Sequence, residues 1–278
     1  MEPMAAEQPP IALTIAGSDP SGGAGVQADL KTFSALGVYG ASVITALTAQ
    51  NTTGVSGVFG VPPEFIAAQF QSVTSDLAVS TIKTGMLGDA SIVETVVRML
   101  AGVPCTRVVV DPVMVATSGD VLLDPDAIQC VRADLIPRAF LITPNIPEAA
   151  KLLNAHEANS EADMRAQAVA LMELGCGAVL LKGGHVAGTA AVDVLFDGKD
   201  HHVLQMPWID TRNTHGTGCT LSAAIAANLA LGLQLREAVS AGKAFVWNAL
   251  KSGALRRIGH GCGPVDHLFE PRPRTLEL

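Results

Sequence analysis

The sequence predicts an α/β fold with a mostly parallel central sheet flanked by helices, and three observations carry that prediction. Short β-branched runs alternate with longer alanine-rich stretches of helical period, the pattern of βαβ units. Glycines and polar residues gather just after the apolar runs, which is where open α/β sheets bind ligands. A chain of 278 residues that is 49% hydrophobic can also bury a large core. No repeat, low-complexity tract or long linker divides it, so one domain over residues 11–278 is expected behind a loose tail at 1–10.

The elements follow in order. A first strand at 11–16 ends on a glycine-rich loop, from which a helix at 25–36 starts. A second strand is expected at 42–47, and Pro62 and Pro63 open a helix at 63–76. A strand at 81–84 and a helix at 91–102 come next, then strands at 108–111 and 140–143. Asn145 caps a helix at 146–153, Ser160 precedes one at 161–175, and a wholly apolar strand at 178–182 closes on Lys182. Runs at 191–196 and 201–206, separated by Asp197-Gly198-Lys199-Asp200, read as a hairpin and hence an antiparallel edge. Helices at 218–232 and 235–252 complete the chain.

Composition narrows the partners. A formal net charge of −8 without a basic run argues against nucleic acid or an anionic membrane and for a small molecule. Five widely spaced cysteines, Cys105, Cys130, Cys176, Cys219 and Cys262, form no Cys-x-x-Cys pair, so neither a disulfide framework nor a zinc site is expected. With no signal-like start and no membrane-length apolar span, a reduced, cytoplasmic protein is expected.

The segment from Asn213 to Gly232 is the most informative. Two glycines and several hydroxyl or thiol side chains lead into a long apolar helix, whose first N–H groups lack helical partners and carry partial positive charge. Gly216 and Gly218 would let a phosphate approach the backbone, and Thr214 and Thr217 would add donors. Cys219 at that helix start is expected to have a lowered pKa; the alternative is a capped core helix with an inert cysteine. Lys182, followed by two glycines, is placed beside a phosphate or simply snorkels from its strand end. Asp111 and Glu148, at neighbouring strand ends, suit Mg-ATP, although Glu148 also suits a helix start capped by Asn145.

Other motifs are weaker. Gly23-Ala24-Gly25-Val26-Gln27-Ala28 matches a dinucleotide fingerprint in spacing, but its turn is too long, and Gln50 stands where a ribose-binding acid is required. A nicotinamide dehydrogenase is therefore rejected, and no Gly-x-x-x-x-Gly-Lys-Ser/Thr loop exists. Gly22, Gly23 and Gly25 instead let a loop fold over a small substrate, with Asp29 facing it as an acceptor or serving as a helix-start charge. His185, His201, His202 and His215 lack metal-ligand spacing; His215 is placed to touch substrate or nucleotide.

Seven segments together, AGSDPSGGAGVQADLKTFSALGVYG, ITALTAQNT, KTGMLGD, DPVMVATSGDVLL, TPNIPEAAKLL, LLKGGH and NTHGTGCTLSAA, resemble the hydroxymethylpyrimidine/phosphomethylpyrimidine kinases of thiamine biosynthesis, over about residues 11–269. The resemblance implies a ribokinase-like three-layer sandwich, usually a homodimer, that uses ATP and Mg²⁺. It implies phosphorylation of 4-amino-5-hydroxymethyl-2-methylpyrimidine to its monophosphate and then to the diphosphate. A monovalent cation is common in that superfamily. By matching motifs, Gly17, Asp29, Gln50 and Met86 would line the pyrimidine pocket and Lys182 would bind ATP phosphates. Asp111 and Glu148 would organise Mg²⁺, and Gly216, Thr217 and Gly218 would form an anion hole. Many superfamily relatives have aspartate as base where this chain has Cys219, so the resemblance gives the thiol that role. Rival readings are a pyridoxal kinase, which also phosphorylates a hydroxymethyl group on a heteroaromatic ring, and a non-catalytic pyrimidine sensor.

Overall fold

The structure is a computed structural model describing residues 9–105, 107–115, 122–184 and 190–270. His185, the middle of the DPVMVATSGDVLL segment and the expected tail up to residue 8 lie outside the described residues.

Strand β1 (Ile11–Ala16) leads through the glycine-rich loop into α1 (Gly25–Ala35) and β2 (Tyr39–Ile44). A hairpin of β3 (Ala46–Asn51) and β4 (Gly54–Gly60) precedes α2 (Pro63–Thr74), β5 (Val79–Thr84), α3 (Ala90–Ala101) and β6 (Val108–Val110). Then come α4 (Pro125–Cys130), β7 (Leu141–Ile142), α5 (Ile146–Leu153), α6 (Glu161–Met172) and β8 (Val179–Lys182). The edge strands β9 (Ala190–Phe196) and β10 (His201–Pro207) are followed by α7 (Thr217–Ala230) and α8 (Leu235–Gly253).

One eight-stranded sheet has the order β10-β9-β8-β7-β6-β5-β1-β2. Pairing is parallel from β2 to β8, and β9 and β10 add the expected antiparallel edge. Successive strand residues point to opposite faces, and the core divides accordingly. Leu13, Ile15, Ile82, Val108, Val110 and Leu181 join Ile66, Val93, Ile146 and Leu171 on the face covered by α2, α3, α5 and α6. Ala12, Val109, Leu141 and Leu180 join Phe33, Leu221, Ile225 and Val239 on the face covered by α1, α7 and α8. The result is the three-layer α/β arrangement that the sequence predicts.

Helix α7 can lie deep in the second layer because its residues are small; Ala223, Ala224, Ala226 and Ala227 are all buried. The Thr81 hydroxyl of β5 donates to the Ala226 carbonyl at 3.0 Å and fixes helix to sheet. Strand β1 lies between β2 and β5, so successive connections leave it in opposite directions. That reversal opens a crevice at the carboxyl ends of β1 and β5, the usual binding position in such sheets.

One expected strand is corrected and two unexpected elements are added. The strand expected at 42–47 is two strands that break at Thr45, whose N–H donates to Ala16 (3.0 Å) and whose hydroxyl donates to the Met86 carbonyl (2.7 Å). The β3–β4 hairpin was missing because β4 is a glycine-containing, largely exposed strand without the apolar alternation that marks a core strand. Helix α4, continued to Arg138 by a wider π turn and a tighter 3₁₀ turn, was also missing, because it is too short for a periodic signal.

Between sheet and helices lies a buried ion pair. Lys83 of β5 reaches Asp29 of α1 at 2.8 Å with both side chains 0% exposed, and the Thr14 hydroxyl donates to the same carboxylate at 2.6 Å. Removing one partner of such a pair strands the other charge. Lys83→Met is expected to lower the unfolding free energy by about 3–5 kcal/mol in urea titrations, and adding Asp29→Asn to restore much of it. A Lys83→Met protein of wild-type stability would contradict this account of the pair.

Candidate active site

The site is assembled from strand ends and two loops. At the crevice, the Gly17 N–H donates to the Met86 carbonyl at 3.1 Å, and a Cβ at Gly17 would lie 3.2 Å from the Met86 sulfur. These two predicted pocket residues are therefore neighbours. Gln50 sits on β3, and the Thr48 hydroxyl, which donates to Ser18 at 2.8 Å, also lies 3.2 Å from the Gln50 amide oxygen. The hairpin is thereby hung over the end of β1. Asp29 lies within the α1 face of this region, held by Lys83 and Thr14. A carboxylate offers about four lone-pair sites, so the three bonds it makes leave one for a further donor.

A second cluster is built around the start of α7. Gly216 caps that helix with φ +80°, a left-handed conformation in which a Cβ would also overlap the Gly23 carbonyl. Lys182, at the end of β8, pairs with Asp111 at 2.9 Å and lies 3.4 Å from where a Cβ on Gly218 would be. Asp111 also accepts from Thr143 (3.2 Å) and from Ser222 of α7 (3.0 Å). Lysine, carboxylate and helix N-terminus thus meet at one point.

The charges there are unequal. Burial opposes ionisation of Asp111, but Lys182 and then Lys83 outweigh it and hold the carboxyl below its ordinary range. Glu148 is pushed up to about 7, by burial foremost and then by Asp111, against the pull of Lys182. Its carboxylate also accepts the Asn145 N–H at 2.8 Å while Asn145 accepts its N–H, so the capping box is real and coexists with the cluster. Two oxygen-donor carboxyls sharing less than two full negative charges can take a divalent cation, which would drive Glu148 to ionise.

Cys219 occupies the first turn of α7, with the Gly25 N–H directed at its sulfur. The expected low pKa is corrected: burial, reinforced by Asp29 and Asp111, pushes the thiol up to about 11 despite Lys83 and that N–H. The helix terminus was visible in the sequence, whereas the two carboxylates converge on it only in the fold. His215 is buried beside the anion loop, with its Nε2 2.8 Å from the Asp19 carboxylate. Asp19 and Lys83 were not anticipated; Lys83 stands out only as a charge within a buried β-branched run. Asp197, Asp200 and His202 cluster on the β9–β10 turn, where Arg236 pairs with both acids at 3.0 and 3.4 Å.

Comparison with known proteins places this geometry. The sequence profile described as phosphomethylpyrimidine kinase matches residues 19–266. The chain belongs to the phosphomethylpyrimidine kinase family. It is 52% identical to the hydroxymethylpyrimidine/phosphomethylpyrimidine kinase of Escherichia coli (strain K12), over 92% of this chain and 96% of that one. Among solved structures, the phosphomethylpyrimidine kinase of Clostridium difficile 630 superposes with a TM-score of 0.77 at 43% identity, covering 86% of this chain and 99% of that one. The ADP complex of Bacillus subtilis pyridoxal kinase gives a TM-score of 0.86 at 39% identity, covering 94% and 98%. The chain is thus an enzyme, a ribokinase-like kinase that uses ATP.

The corrected thiol state is directly measurable. Alkylation of Cys219 by iodoacetamide, followed by peptide mass spectrometry in the ligand-free enzyme, is expected to be slow at pH 7 and to climb only above pH 10. Rapid alkylation that levels off by pH 8 would restore the low pKa.

Proposed function

We propose that the chain, acting as one kinase domain, transfers the γ-phosphoryl of ATP to the hydroxymethyl oxygen of 4-amino-5-hydroxymethyl-2-methylpyrimidine and then a second phosphoryl to the monophosphate. The observation that carries this reading is the meeting of the β1/β5 crevice with the start of α7, through Asp29–Lys83 on one side and Asp111–Lys182 on the other. An acceptor in the crevice and a phosphate on the helix terminus are then contiguous.

Each residue has a task. The Asp29 lone pair and the Gln50 amide read the aminopyrimidine edge, while Met86 packs on the ring beside Gly17. Backbone N–H groups of Gly216, Thr217 and Gly218, with the Thr214 hydroxyl, hold the transferring phosphoryl, and Lys182 neutralises charge on the phosphates. Asp111 and Glu148 would hold Mg²⁺, directly or through water; the ion supplies neutralisation of phosphate charge when bound. Phosphoryl transfer has a loose transition state, so positioning and electrostatics carry most of the catalysis. Cys219, protonated in the resting site, lines the acceptor end of it, and the hydroxyl proton passes to solvent as the new P–O bond forms.

We infer that a cytoplasmic homodimer forms through the exposed apolar hairpin, where Leu47 lies opposite Phe59 in register and Val58 is also exposed. No helix among the described residues is long and apolar enough to cross a membrane.

Incubation with Mg-ATP and either hydroxymethylpyrimidine or pyridoxal, with mono- and diphosphate resolved, is expected to give the pyrimidine diphosphate. Lys182→Met is expected to lower kcat by about 100-fold or more. Pyridoxal phosphate as sole product would move the chain to the branch of its Bacillus subtilis relative, and no ATP consumption with either acceptor would leave a binding protein.

A further inference from the structure

His215 and Asp19 take no part in the chemistry described, yet they join the two loops between which phosphoryl must pass. Asp19 closes the acceptor loop on itself: its carboxylate accepts the Ser21 N–H (2.9 Å), the Ser21 hydroxyl (2.7 Å), and the Gly23 (3.1 Å) and Ala24 (2.8 Å) N–H groups. The His215 ring supplies the fifth bond, 196 residues away in sequence and one residue before Gly216. Burial works against that carboxylate, but the histidine and the loop donors bring it down to about 2.

His215 is itself anchored from behind. Its N–H donates to the Gly263 carbonyl at 3.0 Å, and a Cβ at Gly263 would overlap the Asn213 side chain, so the strand of chain there lies directly on the anion loop. Asn213 in turn donates to Gly253 and Arg256, both at 2.7 Å. The same strap reaches the hairpin that carries Gln50. Cys262 donates to the Thr52 carbonyl at 2.9 Å, and the Thr52 hydroxyl accepts the His260 and Gly261 N–H groups at 3.2 Å. Acceptor loop, hairpin and anion loop are therefore tied at a single node.

We propose that His215 is a positioning residue that, through Asp19, holds the acceptor loop against the Gly216–Gly218 turn and so directs the phosphoryl group to the bound hydroxyl rather than to water. This rests on the kinase reading above. In the productive reaction the bond from the γ-phosphorus to the ADP oxygen breaks, a bond to the hydroxymethyl oxygen forms, and the hydroxyl proton leaves to solvent. In the competing one, water takes the place of the hydroxyl and inorganic phosphate is released. A displacement of about 1 Å between reacting groups can cost about 100-fold in rate, so a loosened node favours the smaller, freely diffusing nucleophile.

The test measures phosphate ester and inorganic phosphate in the same reaction for wild type, His215→Ala and His215→Gln, whose amide N–H can replace that of the ring. For His215→Ala the ester-to-phosphate ratio is expected to fall by about tenfold or more, with the KM for ATP within about twofold of wild type, and His215→Gln to recover most of the ratio. A purely structural role would lower the melting temperature and leave the ratio alone. An unchanged ratio in folded His215→Ala, or no recovery in His215→Gln, overturns the proposal. Should His215→Ala fail to fold, Asp19→Asn must show the same fall, and an unchanged ratio there overturns it equally. Absence of ester with the wild-type enzyme would instead refute the kinase reading.

Discussion

A buried and a part-buried lysine balance two buried carboxylates beneath the crevice, and the rest of the site depends on that balance. Lys83 pairs with Asp29 and Lys182 with Asp111, so β5, α1, β8 and the residue that follows β6 are fixed relative to one another by charge as well as by packing. An isolated charge in that environment would neutralise or draw in water. Paired, these groups keep a sharp local field in a site of low dielectric, where electrostatic catalysis is most effective. Burial foremost keeps Cys219 a thiol, with Asp29 and Asp111 adding to it against the pull of Lys83.

Helix α7 delivers the other half of the site. Its small side chains let it press against the sheet, which carries its N-terminus to the carboxyl ends of the central strands. Ser222, one turn into the helix, donates to Asp111 and sets the helix rotation relative to the charged cluster. Gly216 then admits the close approach of the acceptor loop that a larger residue would block. Substrate and phosphate sites are therefore products of one packing arrangement rather than separate modules.

Local chemistry was legible in the sequence wherever a signal is carried by adjacent residues. The bounds of β1 and α5 coincide with expectation, because an alternating or capped segment flanked by glycine, proline or asparagine announces its own ends. Lys182 and Asp111 stood out because each closes an apolar run at a strand end, and Glu148 and the Gly216 turn because each opens a helix. What depends on distant partners was hidden. The ionisation of Cys219 is set first by burial and then by Lys83, Asp29 and Asp111, all distant in sequence, and the engagement of His215 by a loop at the opposite end of the chain. The β3–β4 hairpin escaped for the converse reason: it packs too little to need a readable pattern.

The central claim is that an acceptor in the β1/β5 crevice faces a phosphate on the start of α7. A crystal structure with a non-hydrolysable ATP analogue and hydroxymethylpyrimidine tests it most directly. The account predicts the γ-phosphate against the N–H groups of Gly216 to Gly218, beside Lys182, and the hydroxymethyl oxygen within about 3–3.5 Å of the transferring phosphorus, as in a near-attack arrangement. A pyrimidine bound away from Gly17 and Met86, or a γ-phosphate held elsewhere than on the α7 terminus, would contradict it.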